Sequence, residues 1–213
     1  MQVCLASTSP ARLMLLRQAG IEPLTRSPQT DEDALQAEAE AARGGALAPE
    51  ELVLLLARAK AADVAHRLAA EEPGFDGIVI GGDSVFAIDG RVHGKPHTAE
   101  EATRRWSAMR GETGVLHSGH SVFRLSPGAD PREATAVAAA SVTFAADVSD
   151  DEIAVYVASG EPLHVAGAFT VDSLGGAFIT RVEGDPSTVV GMSLSTVRRL
   201  AGELGVVWTD LWQ

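Results

Sequence analysis

The sequence predicts a single α/β domain over residues 1–213, in which helices flank a mixed β-sheet. Two observations favour this class. Segments with helical spacing alternate with short apolar, β-branched segments, which is typical of α/β proteins. The pair Asp89-Gly90 is a strong signal for a two-residue hairpin, so some neighbouring strands should be antiparallel. A chain of 213 residues with 46% hydrophobic content is also large enough to bury one sizeable core.

The first two elements are predicted from local signals. Residues 2–6 are apolar and indicate a buried strand, and a helix should follow from Pro10 to Ala19. Ser9 is the predicted N-cap, since its hydroxyl can accept an amide hydrogen bond from the first turn. Pro10 suits the first helical position, and Gly20 should end the helix.

The later elements follow from the same signals. The residues Ser149 and Glu152 predict a capping box at the start of one helix. The remaining predicted elements are a short strand over 21–27, a loop with one weak helix over 28–50, a helix from Pro49 to about Ala70, a strand over 76–83, a helix over 98–109, strands over 113–124 and 133–145, a helix from 150 to about 158, a strand over 176–183 and a helix over 193–204.

The charge composition narrows the classes of partner. A net charge of −12 argues against non-specific binding to nucleic acid or to an anionic membrane. No apolar run approaches the roughly 20 residues that span a bilayer, no signal peptide is evident, and Cys4 is the single cysteine, so a cytoplasmic location is expected. Of the 17 basic residues, 15 are arginine, so Lys60 and Lys95 stand out as candidates for positions that need a lysine. Two surface lysines left by chance are the alternative.

The stretch LASTSPAR, from Leu5 to Arg12, predicts an anion site at a strand-to-helix turn. A helix N-terminus offers unpaired amide groups, and the hydroxyls of Ser7, Thr8 and Ser9 add further donors. Arg12 lies in the first turn, where the helix dipole disfavours a cation by about 0.3–1 kcal/mol. A bound anion would more than offset that cost. Helix capping alone remains the alternative, although it accounts only for Ser9.

Asp83 is expected at the carboxyl end of the buried strand over 76–83, where ligand sites of open α/β sheets lie. A metal ligand or a base that polarises water is the functional interpretation, and a turn aspartate is the alternative. The stretch GRVHGKP is one residue too short for a phosphate-binding P-loop and has Pro96 in place of the hydroxyl residue. His117 and His120 should point to opposite faces of a strand, which is poor zinc geometry.

Several segments in order resemble the Maf family of nucleotide pyrophosphatases over almost the whole chain. The segments are LASTSPARLMLLRQAGI, ARAKA, GGDS, HGKP, MRG, EIAVYVASGEP, VAGAF and GDPSTVVGMSL. Both lysines fall inside them. The resemblance implies a Maf/Ham1-like fold, a mixed sheet flanked by helices with a central nucleotide-binding cleft.

The resemblance also implies an activity and its residues. The expected reaction is hydrolysis of a nucleoside triphosphate, standard or modified, to a monophosphate and pyrophosphate with Mg²⁺ or Mn²⁺. Roles in cleansing the nucleotide pool and in arrest of cell division are implied as well. A non-catalytic nucleotide-binding regulator of septum formation is the alternative, and a homodimer is left open. The implied residues are Asp83 as proton acceptor and metal ligand, Glu32 as metal ligand, and Ser7, Arg12, Lys60 and Lys95 as phosphate ligands.

Three positions depart from the family pattern and are associated with substrate choice. Ala11 replaces the first arginine of a pair, and Ser84 replaces a threonine after the motif aspartate. Asp172 stands where members that act on dTTP and UTP carry a glutamine. The preference for dTTP and UTP is therefore not carried over to this chain, and the preferred base stays open.

Overall fold

The structure is a computed structural model that describes residues 1–213. Seven strands and seven α-helices alternate along the chain, with short 3₁₀ turns between some of them. The strands are β1 (Gln2–Ala6), β2 (Leu24–Arg26), β3 (Gly77–Ile88), β4 (Arg91–His93), β5 (Thr113–Leu125), β6 (Arg132–Phe144) and β7 (Ile179–Glu183). The helices are α1 (Pro10–Gln18), α2 (Glu32–Arg43), α3 (Pro49–Glu71), α4 (Ala99–Met109), α5 (Asp150–Ala158), α6 (Pro186–Val190) and α7 (Leu194–Glu203). None of the helices combines the length and apolar character needed to cross a membrane.

All seven strands belong to one mixed sheet, as predicted. Its order is β2-β1-β3-β5-β6-β7, and β4 pairs with β3. Strand β1 is parallel to both β2 and β3, whereas β3–β4 and β6–β7 are antiparallel. The β3–β4 turn is the predicted hairpin, because Asp89 and Gly90 both adopt positive φ (50° and 70°), as a type I′ turn requires.

The chain forms two compact units, each built from separated segments. The first unit contains residues 1–83, 118–138 and 191–213, and the second contains residues 84–117 and 139–190. In the first unit, one face of α3 packs on β1, β3 and β5 through small and β-branched side chains, among them Ala61, Val64 and Val79. In the second unit, an aromatic cluster of edge-to-face rings joins Phe86, Phe144 and Phe169 with ring centroids 5.0–5.9 Å apart.

Two sequence predictions require correction in the first unit. Residues 28–50 contain a regular 12-residue helix, α2, rather than a loop with one weak helix. It is well terminated: the Asp31 carboxylate accepts the Ala34 amide (3.0 Å), and Gly44 ends the helix with φ of 80°. Strand β3 also continues to Ile88, so Asp83 lies within the strand rather than at its end. The strand extends because Phe86–Ile88 pair with β4.

Other boundaries agree closely with the predictions. Ser9, Thr98 and Ser193 are the N-caps of α1, α4 and α7, and Ser149 and Glu152 form the capping box of α5. The short helix α6 was not predicted, and β7 begins at Ile179 because residues 174–178 form a 3₁₀ turn.

Candidate active site

The strand-to-helix turn after β1 is organised by two serine hydroxyls. Ser9 Oγ accepts the Arg12 amide (3.4 Å), which confirms the predicted cap. The buried Ser7 Oγ accepts the Ser9 amide (3.1 Å) and one guanidinium N–H of Arg12 (Nη1, 3.3 Å). Ser7 therefore links the turn to the arginine, whereas Thr8 is exposed.

The Arg12 guanidinium also donates to an acceptor that is far away in the sequence. Its Nε donates to the carbonyl of Gly191 (2.8 Å), which lies just before α7. A Cβ built on Gly82 would lie 3.4 Å from the same Nε, so the glycine leaves room for the guanidinium beside β3. Burial lowers the pKa of Arg12, while the negative charges of Asp83 and Glu32 oppose that change. The guanidinium still remains protonated at any physiological pH.

Lys60 and two carboxylates form the centre of this site. Lys60 Nζ lies 2.7 Å from Asp83 Oδ1 and 2.8 Å from Glu32 Oε2. The side chains of Lys60 and Asp83 are 10% and 13% exposed, whereas that of Glu32 is 47% exposed. The structure therefore brings together Ser7, Arg12, Glu32, Lys60 and Asp83, five of the residues that the sequence singled out.

Close packing of α3 on the sheet positions Lys60. A Cβ on Gly81 would lie 2.7 Å from the Ala57 carbonyl oxygen and 2.7 Å from the Ala61 Cβ. A Cβ on Gly119 would lie 2.2 Å from the Val53 carbonyl oxygen. Both glycines let the helix approach β3 and β5 more closely than any larger residue would allow. This approach brings the ammonium of Lys60 to the carboxylate of Asp83.

The environment of Asp83 makes it a stronger base than an exposed aspartate. Burial raises its pKa, Lys60 and Arg12 oppose that increase, and Glu32 adds to it. A carboxylate of raised pKa next to a buried ammonium is a typical feature of functional sites.

The pair Asp83 and Glu32 also fits the chemistry of a magnesium or manganese site. Mg²⁺ prefers oxygen ligands and is commonly bound by one or two carboxylates together with substrate phosphates and water. Oxygens of both carboxylates lie within 2.8 Å of one ammonium, so they converge on a common point. No group of three or more histidine, cysteine, aspartate or glutamate side chains is placed to hold a metal ion.

The sequence also singled out Ala11, Ser84, Lys95 and Asp172. Ala11 is a half-buried residue in the first turn of α1, next to Arg12. Lys95, Ser84 and Asp172 belong to the second unit. Lys95 is exposed in the segment after β4, and the preceding Gly94 carbonyl accepts an N–H of Arg105 (Nη1, 2.5 Å). Arg105 therefore fixes the backbone beside Lys95.

Glu161 organises the segment that carries Asp172. Its carboxylate accepts hydrogen bonds from Tyr156 Oη (2.9 Å), the Thr170 hydroxyl and the amides of Leu174 (3.2 Å) and Gly175 (3.0 Å). Although burial raises the pKa of Glu161, these bonds outweigh it and lower the pKa to about 2. Glu161 is therefore a half-buried carboxylate held by hydrogen bonds rather than a solvated loop residue.

The fold and the site define an α/β protein with two carboxylates, a buried lysine and an arginine gathered beside a strand-to-helix turn. The chain belongs to the Maf family, because the family model described as "Maf-like protein" matches residues 2–204. A relative from Leifsonia xyli subsp. xyli is 58% identical, with 100% of this chain and 97% of the relative covered. A relative from Rhodococcus jostii is 50% identical, with 98% and 94% covered. Both relatives are named nucleoside triphosphate pyrophosphatase.

Similarity to solved structures is weaker. A structure titled as a nucleoside-triphosphatase and dITP/XTP pyrophosphatase from Mycobacterium abscessus covers 96% of this chain and 97% of its own, at 14% identity and a TM-score of 0.37. The Ham1 protein of Staphylococcus aureus covers 68% and 73% at 10% identity, with a TM-score of 0.33.

Proposed function

We propose that this protein is a nucleoside triphosphate pyrophosphatase, which releases a nucleoside monophosphate and pyrophosphate. The observation that carries the proposal is the contact of Lys60 with Asp83 and Glu32 beside Arg12. This arrangement combines a base, cations for phosphate and a pair of metal-ligating carboxylates. Relatives that are 50% and 58% identical over nearly their whole length carry the corresponding name, which supports the assignment.

In the proposed reaction, Asp83 accepts a proton from the attacking water. Its raised pKa suits this role, because a general base works best when its pKa approaches the working pH. The water oxygen bonds to the α- or the β-phosphorus, and the bond from that phosphorus to the bridging oxygen breaks. The bridging oxygen leaves with the other phosphate group, so the products are the monophosphate and pyrophosphate in either case. Phosphoryl transfer depends mainly on positioning and charge neutralisation, so Lys60 and Arg12 would bind phosphate oxygens throughout.

A divalent cation is part of the proposal, with Asp83 and Glu32 as its protein ligands. Mg²⁺ or Mn²⁺ bound there would neutralise charge on the phosphate oxygens. The net charge of −12 does not oppose binding of a polyanion, because charges beyond about 8 Å are largely screened at physiological salt. Lys95 is proposed as a further phosphate ligand, and Ala11, Ser84 and Asp172 as residues that select the base.

Product analysis tests the proposal directly. A panel of standard and modified nucleoside triphosphates is incubated with Mg²⁺, with Mn²⁺ or with EDTA, and the products are identified by mass. Monophosphate and pyrophosphate, formed only with metal, are expected. Diphosphate and orthophosphate as the main products would contradict the proposed cleavage site. A preference for modified triphosphates would support a role in cleansing the nucleotide pool.

The proposed link to arrest of cell division has its own test. Overproduction of the wild-type protein is compared with overproduction of Asp83→Asn in the same cells. If arrest depends on hydrolysis, only the wild-type protein should cause it. Arrest by both proteins would favour a regulator that binds nucleotide without catalysis.

A further inference from the structure

His120 is a polar side chain that the proposed mechanism does not use. It lies on β5, is fully buried, and accepts the backbone amide of Ser193 at its Nε2 (2.9 Å). A neutral imidazole with its proton on Nδ1 is the form that can accept at Nε2. The bond joins two positions that are 73 residues apart in the sequence. It therefore ties the start of α7 to the sheet.

The turn that His120 holds also contacts Arg12. Ser193 is the N-cap of α7, with its Oγ accepting the Thr196 amide (3.1 Å). Two residues earlier, Gly191 has φ of 121°, a conformation that favours glycine. The Gly191 carbonyl accepts Arg12 Nε at 2.8 Å. The segment from Gly191 to Ser193 is thus fixed at one end by His120 and contacts the guanidinium at the other.

We propose that His120 is a positioning residue for Arg12, acting through the turn at residues 191–193. The imidazole holds this turn so that the Gly191 carbonyl orients the guanidinium for an incoming phosphate. An arginine side chain loses rotamer entropy when it is fixed, so orientation before binding strengthens the complex. The proposal rests on the proposed function only in naming a substrate phosphate as the ligand. A purely structural role would affect stability and leave anion affinity unchanged.

The experiment measures binding of inorganic tripolyphosphate by calorimetry, so it does not depend on turnover. His120→Leu removes the acceptor at similar volume, and His120→Gln restores an acceptor oxygen. Ser193→Pro removes the amide donor at a φ of −72° that proline can adopt, and its Cδ takes the place of the hydrogen that faces His120, so the imidazole has to move aside. Ser193→Ala removes only the hydroxyl. Leu125→Ala, a core substitution on the same strand, controls for general loss of stability.

His120→Leu and Ser193→Pro are each expected to raise Kd tenfold or more. His120→Gln should recover most of this affinity, and Ser193→Ala should weaken binding less than Ser193→Pro does. The double variant His120→Leu/Ser193→Pro should be no weaker than either single variant, because both remove the same bond. Leu125→Ala should stay within twofold of the wild-type protein. In hydrolysis assays, KM should rise while kcat changes by only a few fold.

Folded His120→Leu protein that binds tripolyphosphate within twofold of wild type would overturn the inference. If His120→Leu does not fold, an unchanged Kd in Ser193→Pro would overturn it equally. Wild-type protein that binds tripolyphosphate but hydrolyses no nucleoside triphosphate would refute the proposed function and leave this inference standing. Wild-type protein that hydrolyses nucleoside triphosphates but does not bind tripolyphosphate would overturn this inference and leave the proposed function standing.

Discussion

Lys60 Nζ on α3 and Asp83 Oδ1 on β3 are 2.7 Å apart and both side chains are almost completely buried. Such a pair is weak evidence for stability, because the desolvation of two charges offsets much of their attraction. Hydrophobic residues of similar volume would fill this space at least as well. The pair is therefore better explained by chemistry than by folding, and this determines what substitutions at each position should do.

Asp83→Asn should abolish most of the activity. An amide has neither the charge nor the basicity of the carboxylate, and general-base assistance is typically worth about 10²–10⁴-fold. We expect kcat to fall by at least that order, with KM changing less because Lys60 and Arg12 still bind phosphate. Steady-state kinetics with the preferred triphosphate measure both constants.

The same variant should remain folded. Removing one partner of a buried pair usually costs about 3–5 kcal/mol, but Lys60 keeps Glu32 as a partner, so a smaller loss is expected. Urea unfolding measures it. Asp210→Asn, at an exposed position, serves as the matched control and should change neither activity nor stability. Near wild-type turnover in Asp83→Asn would refute the mechanism.

Lys60→Met should move the pH dependence of the reaction. Lys60 opposes the effect of burial on Asp83, so its loss should raise the pKa of Asp83 further. Since the base must be deprotonated, the acidic limb of the kcat/KM profile should shift to higher pH. Values of kcat/KM measured between about pH 5 and pH 9 locate the acidic limb in each protein.

Lys60→Arg is the control for this shift. The positive charge is kept, so the acidic limb should stay close to its wild-type position. The planar guanidinium cannot reproduce the geometry of the ammonium, so the rate should still fall. Identical limbs in Lys60→Met and in the wild-type protein would show that Asp83 is not the titrating base.

Local signals in the sequence were sufficient for most elements. The caps at Ser9 and Ser149 and the Asp89-Gly90 turn depend on residues within a few positions of each other, and each lies where it was predicted. The end of β3 was not predictable in this way. The sequence indicated a strand that ends at Asp83, whereas pairing with a later strand carries β3 to Ile88.

The sequence indicated the residues of the candidate site but not the contacts that hold these residues in place. Lys60 and Asp83 stood out through composition and motif resemblance. Gly191 supports Arg12 from 179 residues away, and no local pattern indicates that contact. His120 was considered only as a metal ligand, because an isolated histidine in a strand carries no signal for a bond to a distant backbone amide. Contacts of this kind follow from the tertiary fold alone.

Asp172→Gln should change the preferred base if position 172 reads it. A carboxylate only accepts hydrogen bonds, whereas an amide both donates and accepts. Uracil and thymine present an N3–H donor beside carbonyl acceptors, so an amide can satisfy both. We expect kcat/KM for pyrimidine triphosphates to rise relative to purine triphosphates. Unchanged ratios across the panel would show that this exposed residue does not contact the base.

Gly81→Ala should disturb the site without changing any charged group. The new Cβ would lie 2.7 Å from the Ala57 carbonyl oxygen and the Ala61 Cβ, so α3 must move away from β3. Such overpacking typically costs about 1–3 kcal/mol of unfolding free energy. Because α3 carries Lys60, the displacement should also lower kcat, and misplacements of about 1 Å can cost 10²-fold.

The control is Gly202→Ala in α7, where a Cβ meets nothing within 4 Å. This substitution should stabilise the helix by up to about 1 kcal/mol. Gly202→Ala should keep full activity, and a Gly81→Ala variant that does the same would show that the approach of α3 to β3 does not set the geometry of Lys60 and Asp83.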